Sequence, residues 1–317
     1  MRVGQNPARF VEKVAQPAEI TVAVVNCIPF LSGYYEQGLD VLKACLTSIH
    51  ENTPEPHDLM VFDNRSCHEV RAYLEDAYEQ GVIQYLVLSD KNIGKIGAWN
   101  FMFGAAQGKY VVFSDGDIGF RPGWLKASMK IFKTFPKVGM VTARPLRTPL
   151  EFSSATLEWA RQQPSGVYEE GHFLDWGTYR EHILSLGLTE ERARADYPGG
   201  TEHRLRYQGQ TAYIGSTHFQ FMAARKVLQE IIPLPSAQPM RGERALDTAI
   251  NKMGLLRLTT DKPLVWHMGN RLSVAAGATV TPKRKSLLHR LLWLPMVRRV
   301  LLWLNNRIFH LYFLNVE

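Results

Sequence analysis

Two carboxylates separated by one residue, Asp115 and Asp117 with Gly116 between them, follow the apolar run Tyr110–Phe113. Paired oxygen ligands at a strand end can hold a hard divalent cation that bridges phosphate oxygens. The bare backbone of Gly116 lets a large ligand come close. The triplet alone is short and also fits a solvated turn. In the second half, Glu243 and Asp247 stand four apart and therefore share one side of a helix. Its other face carries Ala245, Leu246, Ala249, Ile250 and Met253. A carboxylate there can take a proton from a reacting group, or stabilise the helix start against its dipole. His267 ends the extended run Leu255–Trp266. Its imidazole suits Mn2+ better than Mg2+, although a lone histidine is more often structural.

The elements that must position these groups alternate. Ile20–Val25 reads as a buried β-branched strand and Leu39–Ile49 as a helix with apolar spacing. Strand candidates follow at 59–62, 83–88, 110–113 and 138–142, and helix candidates at 70–78, 97–106 and 124–135. This order implies an α/β fold with a mostly parallel central sheet and helices on both faces. Loops at the strand C-termini then gather on one edge, where ligands bind. The polar, aromatic stretch 145–210 breaks the rhythm and reads as an excursion over the sheet edge. Order returns with a strand region at 211–222, helices at 224–231 and 243–253, and the run to His267.

Composition excludes several classes. With 45% hydrophobic and 21% charged residues over 317 positions, the chain is globular rather than disordered or fibrous. Three cysteines are too few and odd in number for a disulfide scaffold, which suits a reducing compartment. The net charge of +7 is unevenly spread. Residues 271–317 hold eight Lys or Arg, from Arg271 to Arg307, against one acid, Glu317, so the tail carries the whole excess. The neutral body argues against a nucleic-acid groove. No secretory signal opens the chain and no apolar run is long enough to span a bilayer.

Read together, Asp63-Asn64-Arg65-Ser66, the turn Asn92-Ile93-Gly94-Lys95 with Ala98 and Asn100, and Asp115-Gly116-Asp117 resemble the nucleotide-sugar-binding half of inverting glycosyltransferases with the GT-A fold, family 2 type. The resemblance implies a donor site formed by Asn26, Asp63 and Ser66 at the base, and by Asn92, Gly94, Lys95, Asn100 and Asp115 further along. It implies metal binding by Asp115, Asp117 and His267, with Mn2+ or Mg2+ bridging the diphosphate. His218 falls where the family contacts donor or acceptor sugar. The family's base lies eleven residues before the glycine that ends its helix, which is Glu243 counted from Gly254. Where the usual pattern has Asp this chain has Glu, and Asp247 is the rival.

The implied layout is an N-terminal extension over 1–19, a donor half over 20–144, an acceptor half over 145–270 and a basic tail over 271–317. In the tail, Leu, Trp and Phe alternate with Arg at helical spacing and Pro295 interrupts the run. Two amphipathic helices lying on an anionic membrane surface through residues 283–314 are expected, with packing on the chain's own domain or on a second copy as the alternative. The expected activity is metal-dependent transfer of a sugar from a nucleotide-diphospho-sugar to a glycan or lipid-linked acceptor. It would serve surface polysaccharide synthesis at the cytoplasmic face of the membrane, in a chain that can be a homo-oligomer. The competing readings are a nucleotidyltransferase of similar sheet, and a membrane-associated sugar-binding scaffold without activity.

Overall fold

The computed structural model describes residues 4–164, 167–236 and 242–272, together with Val300, Trp303, Leu304, Arg307 and Ile308. They fall into two units, Met1–Ser273 and Val274–Glu317. The first unit opens with β1 (Ile20–Asn26), α1 (Gly38–Asn52), β2 (Asp58–Asn64), α2 (His68–Glu79), β3 (Tyr85–Ser89) and α3 (Gly94–Ala105). β4 (Tyr110–Asp115), β5 (Ile118–Phe120), α4 (Trp124–Thr134) and β6 (Val138–Thr142) follow. Then come α5 (Ser154–Arg161), β7 (Tyr168–Gly171), α6 (Trp176–Ser185), α7 (Glu190–Asp196), β8 (Glu202–Tyr207) and β9 (Gln210–Ile214). The last elements are β10 (Gln220–Ala224), α8 (Arg225–Ile231), α9 (Arg244–Lys252), β11 (Leu256–Thr260) and β12 (Val265–His267).

Ten strands form one sheet in the order β3-β2-β1-β4-β10-β6-β11-β9-β8-β7. Relative to β1, strands β2, β3, β4, β6, β8 and β11 run with it, and β7, β9 and β10 run against it. The sheet is thus mostly parallel, with helices on both faces. Alternate residues of the strands face different layers. Val22, Val24 and Val112 pack with Leu42 and Leu46 of α1, Leu74 of α2 and Trp124 of α4. Ala23, Val111 and Phe113 pack with Trp99 and Phe103 of α3, Leu228 of α8 and Leu246 of α9.

The stretch 145–210 departs from the expectation of a cover over the sheet edge, because β7 and β8 extend the sheet and become its edge. Ala160, Leu205, Ala212 and Leu258 give that extension its own core. Buried charges tie the rest of the stretch down. Arg144 has no exposed surface; it donates from Nη1 to Glu181 of α6 at 2.6 Å and to the Val265 carbonyl at 3.1 Å, and from Nη2 to the Thr178 carbonyl. Glu202 of β8 accepts from the backbone of Phe173 and Leu174 at 2.6 and 2.9 Å, and from Arg147 Nε at 2.5 Å. A buried carboxylate with three donors is fully satisfied.

β5 and β12 form a separate two-stranded ribbon that carries His267 back to the end of β4. Its strands close over Gly119, where an added Cβ would lie 2.2 Å from the Trp266 ring. The tail helices expected over 283–314 lie largely outside the described residues. Within the second unit, Val300, Trp303, Leu304 and Ile308 are helical and exposed, and Arg307 stacks over the Trp303 ring. No described helix is long and apolar enough to cross a membrane.

Gly119→Ala should lower stability by about 1–3 kcal/mol, the range for overpacking a filled site. Urea denaturation measures it, and a variant as stable as the parent would show that the Trp266 ring moves aside freely.

Candidate active site

The Asp115-Gly116-Asp117 turn is clamped by backbone on both sides. Asp115 N donates to the Phe219 carbonyl at 2.8 Å, just before β10, and Met268 N donates to the Asp117 carbonyl at 2.8 Å, just after β12. A Cβ on Gly116 would sit 3.2 Å from Leu42 and from the Val25 carbonyl, so the turn lies tight against β1. Lys95, in the first turn of α3, pairs with Asp115 Oδ2 at 2.6 Å and lies over the Trp99 and Phe113 rings.

His267 meets Asp117, with Nε2 3.3 Å from Oδ2. Burial, aided by Asp115, pushes the Asp117 carboxyl up to about 6, against the pull of His267 and Lys95. Asp117 Oδ1 and His267 Nδ1 are buried without hydrogen-bond partners. An uncomfortable carboxylate with an orphaned oxygen beside an imidazole fits a divalent cation, for which both are suitable ligands. The third expected ligand, Asp115, is engaged with Lys95. Among the described residues no cluster of three acidic, His or Cys side chains is drawn together closely enough to hold a metal.

The expected base-binding residues assemble into a self-contained network at the ends of β1 and β2. Asn26 donates to Asp63 Oδ1 at 3.2 Å and to Ser66 Oγ at 2.9 Å, while Ser66 N donates to Asp63 Oδ2 at 3.0 Å. Asp63 has no exposed surface. Its carboxylate ties the end of β1 to the turn after β2. Asn92 Oδ1 accepts from Asn64 and from Gly94 N, both at 2.9 Å, and its amide faces the Cys27 sulfur at 3.5 Å. Burial, aided by Asp63, pushes the Cys27 thiol up to about 12, so it stays protonated. Gly94 starts α3 at a φ of 73°, a conformation that favours glycine. The Asn100 amide exchanges hydrogen bonds of 2.9 and 2.8 Å with the Leu234 backbone.

On the other side of the turn, the two candidate bases differ sharply. Glu243 precedes α9 and is half-buried; its carbonyl accepts from Leu246 N at 3.1 Å, while its carboxylate makes no hydrogen bond or ion pair with any described residue. Asp247 has no exposed surface, and its Oδ1 pairs with buried Arg257 at 2.6 Å. The Asp247 carboxylate is thereby held inside the protein, whereas that of Glu243 is partly open. Its Oδ2 faces Arg244 at 3.3 Å and His218 Nδ1 at 3.5 Å.

Several site residues escaped the sequence reading. Arg257 interrupts the apolar strand Leu256–Thr260, and a charge inside a short buried strand is itself a signal of a buried partner. The His182 ring of α6 lies tilted against Phe219, which in turn packs edge-on against His267. Burial, with help from Arg144 and His267, pulls His182 down to about 3, so it is neutral.

Asp117→Ala and His267→Ala should each weaken Mn2+ binding by at least about tenfold, given that even outer ligands of metal sites cost that much. Titration of the ligand-free protein with Mn2+, read by electron paramagnetic resonance, checks this. Equal affinity in all three proteins would remove the cation from this turn.

The fold has counterparts. A model of glycosyl transferase family 2 matches residues 31–186. No curated protein matches the sequence. Among solved structures, GalNAc-T7 with UDP, GalNAc and Mn2+ aligns at 15% identity with a TM-score of 0.51, covering 83% of this chain and 46% of its own. The mannosyltransferase PcManGT from Pyrobaculum calidifontis, in complex with GDP-Man and Mn2+, gives 17% identity and a TM-score of 0.45, with coverage of 81% and 60%. S. aureus TarS 1–349 gives 14% and 0.46, with coverage of 78% and 60%. The chain thus spans 60% or less of the length of these neighbours. At such identities the likeness bears on the fold alone, and the family model adds the rest: the chain has the GT-A fold, and its residues 31–186 match glycosyl transferase family 2.

Proposed function

We propose that the chain transfers a sugar, with inversion, from a nucleotide-diphospho-sugar to a hydroxyl of a glycan or lipid-linked acceptor in surface polysaccharide synthesis. The observation that carries the reading is the meeting of Asp117 with His267 beside the Asp115–Lys95 pair. Residues 150 apart in the chain converge on one strand edge. The family match supports sugar transfer, and the fold shared with GalNAc-T7, whose structure holds UDP, GalNAc and Mn2+, supports a nucleotide-bound donor.

The donor would lie along the strand ends. The loop organised by Asn26, Asp63, Ser66 and Asn92 receives the nucleoside over β1 and β2. Lys95 then reaches the diphosphate, its ammonium exchanging Asp115 for phosphate oxygens. Asp115, Asp117 and His267 are the residues that would hold a divalent cation, Mn2+ or Mg2+, and such an ion would supply positive charge for the departing diphosphate. The attacking hydroxyl must lose a proton on the α9 side of the turn. Two groups open toward that side are Glu243 and the imidazole that Asp247 faces.

The basic, aromatic tail supports peripheral attachment to the inner face of the cell membrane, where a lipid-linked acceptor would be found. Clustered arginines near an anionic leaflet contribute on the order of 1 kcal/mol each.

Incubation of the full chain with UDP-sugars and GDP-sugars should release the nucleoside diphosphate only with Mn2+ or Mg2+, and Asp117→Ala should abolish it. Absent or metal-independent release would overturn the assignment. For the tail, liposomes containing anionic lipid should float the full chain but not residues 1–280, and equal flotation would exclude the anchor.

A further inference from the structure

Asp117 stands just before β5 and His267 ends β12, and the two strands pair with Ile118 opposite His267. The register of this ribbon therefore sets the 3.3 Å approach of His267 Nε2 to Asp117 Oδ2. Two strands alone are marginal in water, so the elements packed on the ribbon must hold that register.

One carboxylate outside the ribbon reaches both of its strands. Glu181 lies on α6, inside the stretch 145–210, and takes one guanidinium on each oxygen. Arg121 Nη2 donates to its Oε1 at 2.7 Å, and Arg144 Nη1 donates to its Oε2 at 2.6 Å. Arg121 directly follows β5. Its backbone N donates to the Leu264 carbonyl at 2.8 Å and its Nη1 to the Pro263 carbonyl at 2.5 Å, and its guanidinium lies 4.9 Å from the centre of the Trp266 ring. Arg144, two residues after β6, donates to the Val265 carbonyl at 3.1 Å. Two guanidiniums thus grip the backbone on both sides of Leu264, and a single carboxylate fixes the spacing between them. Arg144 is buried and needs one oxygen of a carboxylate partner. The other oxygen, turned to the partly exposed Arg121, is what joins the two strands.

The same helix meets this segment twice more. The ring of His182, next to Glu181, lies tilted against Phe219, which packs edge-on against His267. Further along, an added Cβ on Gly269 would come within 3.1 Å of the Ser185 carbonyl. The helix therefore runs along the back of the chain that carries His267.

We propose that Glu181 is a positioning residue for the cation site: by bridging Arg121 and Arg144 it holds the ribbon in the register that sets His267 against Asp117. This deepens the cation site of the preceding reading and rests on it. Glu181 acts through the two guanidiniums. An amide at 181 keeps the shape of the side chain but offers one oxygen instead of two, so one guanidinium loses its acceptor.

Titration of the full chain with Mn2+, read by electron paramagnetic resonance, tests this. Glu181→Gln should weaken Mn2+ binding about tenfold, a loss typical of residues that orient a metal ligand. Arg121→Gln should weaken it as well. The second variant separates position from charge. Removing a nearby cation raises the affinity for a divalent ion by simple electrostatics, whereas loosening the ribbon lowers it. Urea denaturation identifies the folded variants, and Arg121→Gln carries the test alone if Glu181→Gln does not fold. His267→Ala, measured alongside, reports on the cation site independently of the clamp. If it loses Mn2+ while Glu181→Gln binds as the parent does, the positioning role is overturned and the cation site stands. Unchanged or tighter binding by Arg121→Gln overturns the positioning role in the same way. A parent protein that binds no Mn2+ would remove the site and the clamp's role together.

Discussion

Two backbone hydrogen bonds, from Asp115 to Phe219 and from Met268 to Asp117, hold the acidic turn between elements from distant parts of the chain. Everything about the site follows from that clamp. One bond joins the turn to Phe219, just before β10, and so draws in the segment that carries His218. The other joins it to the end of β12 and brings His267 onto Asp117. Neither histidine is near the acids in sequence. A single antiparallel strand, β10, placed between parallel β4 and β6 makes this possible, because its first residues lie at the edge where its neighbours end.

The first half of the fold was legible because its signals are local. β-branched runs such as Ile20–Val25 and apolar spacing such as Val41, Leu42, Cys45 and Leu46 report strand and helix within a few residues. The acidic turn could be seen because both carboxylates sit in one triplet. Partnerships between distant residues could not. Nothing near Asp63 announces that the Asn26 amide donates to one of its oxygens, and nothing near Asn100 points to Leu234. The stretch 145–210 was opaque for a related reason. Its strands pair as an edge hairpin with β9, while Arg144 fastens α6 and Glu202 fastens the segment before it through ionic contacts.

Those buried ionic contacts have a common design. Arg144 and Arg257 are both almost without exposed surface, and each spends its donors on a carboxylate and on backbone carbonyls. Such pairs seldom add stability over apolar packing, because desolvation offsets most of their attraction. What they supply is position. Arg144 fixes α6 against β12, the strand of His267, and Arg257 fixes α9 against the segment of His218. Each of these histidines therefore stands on an element registered by its own buried guanidinium.

The ribbon that carries His267 closes with an indole laid directly on the bare backbone of Gly119. Such a contact leaves two positions with a shared history. A methyl or anything larger at 119 is compatible only with a smaller group at 266, and neither can change first without a penalty. Across diverging descendants of this fold, the two sites are expected to drift as a pair, with bulk traded from one strand to the other.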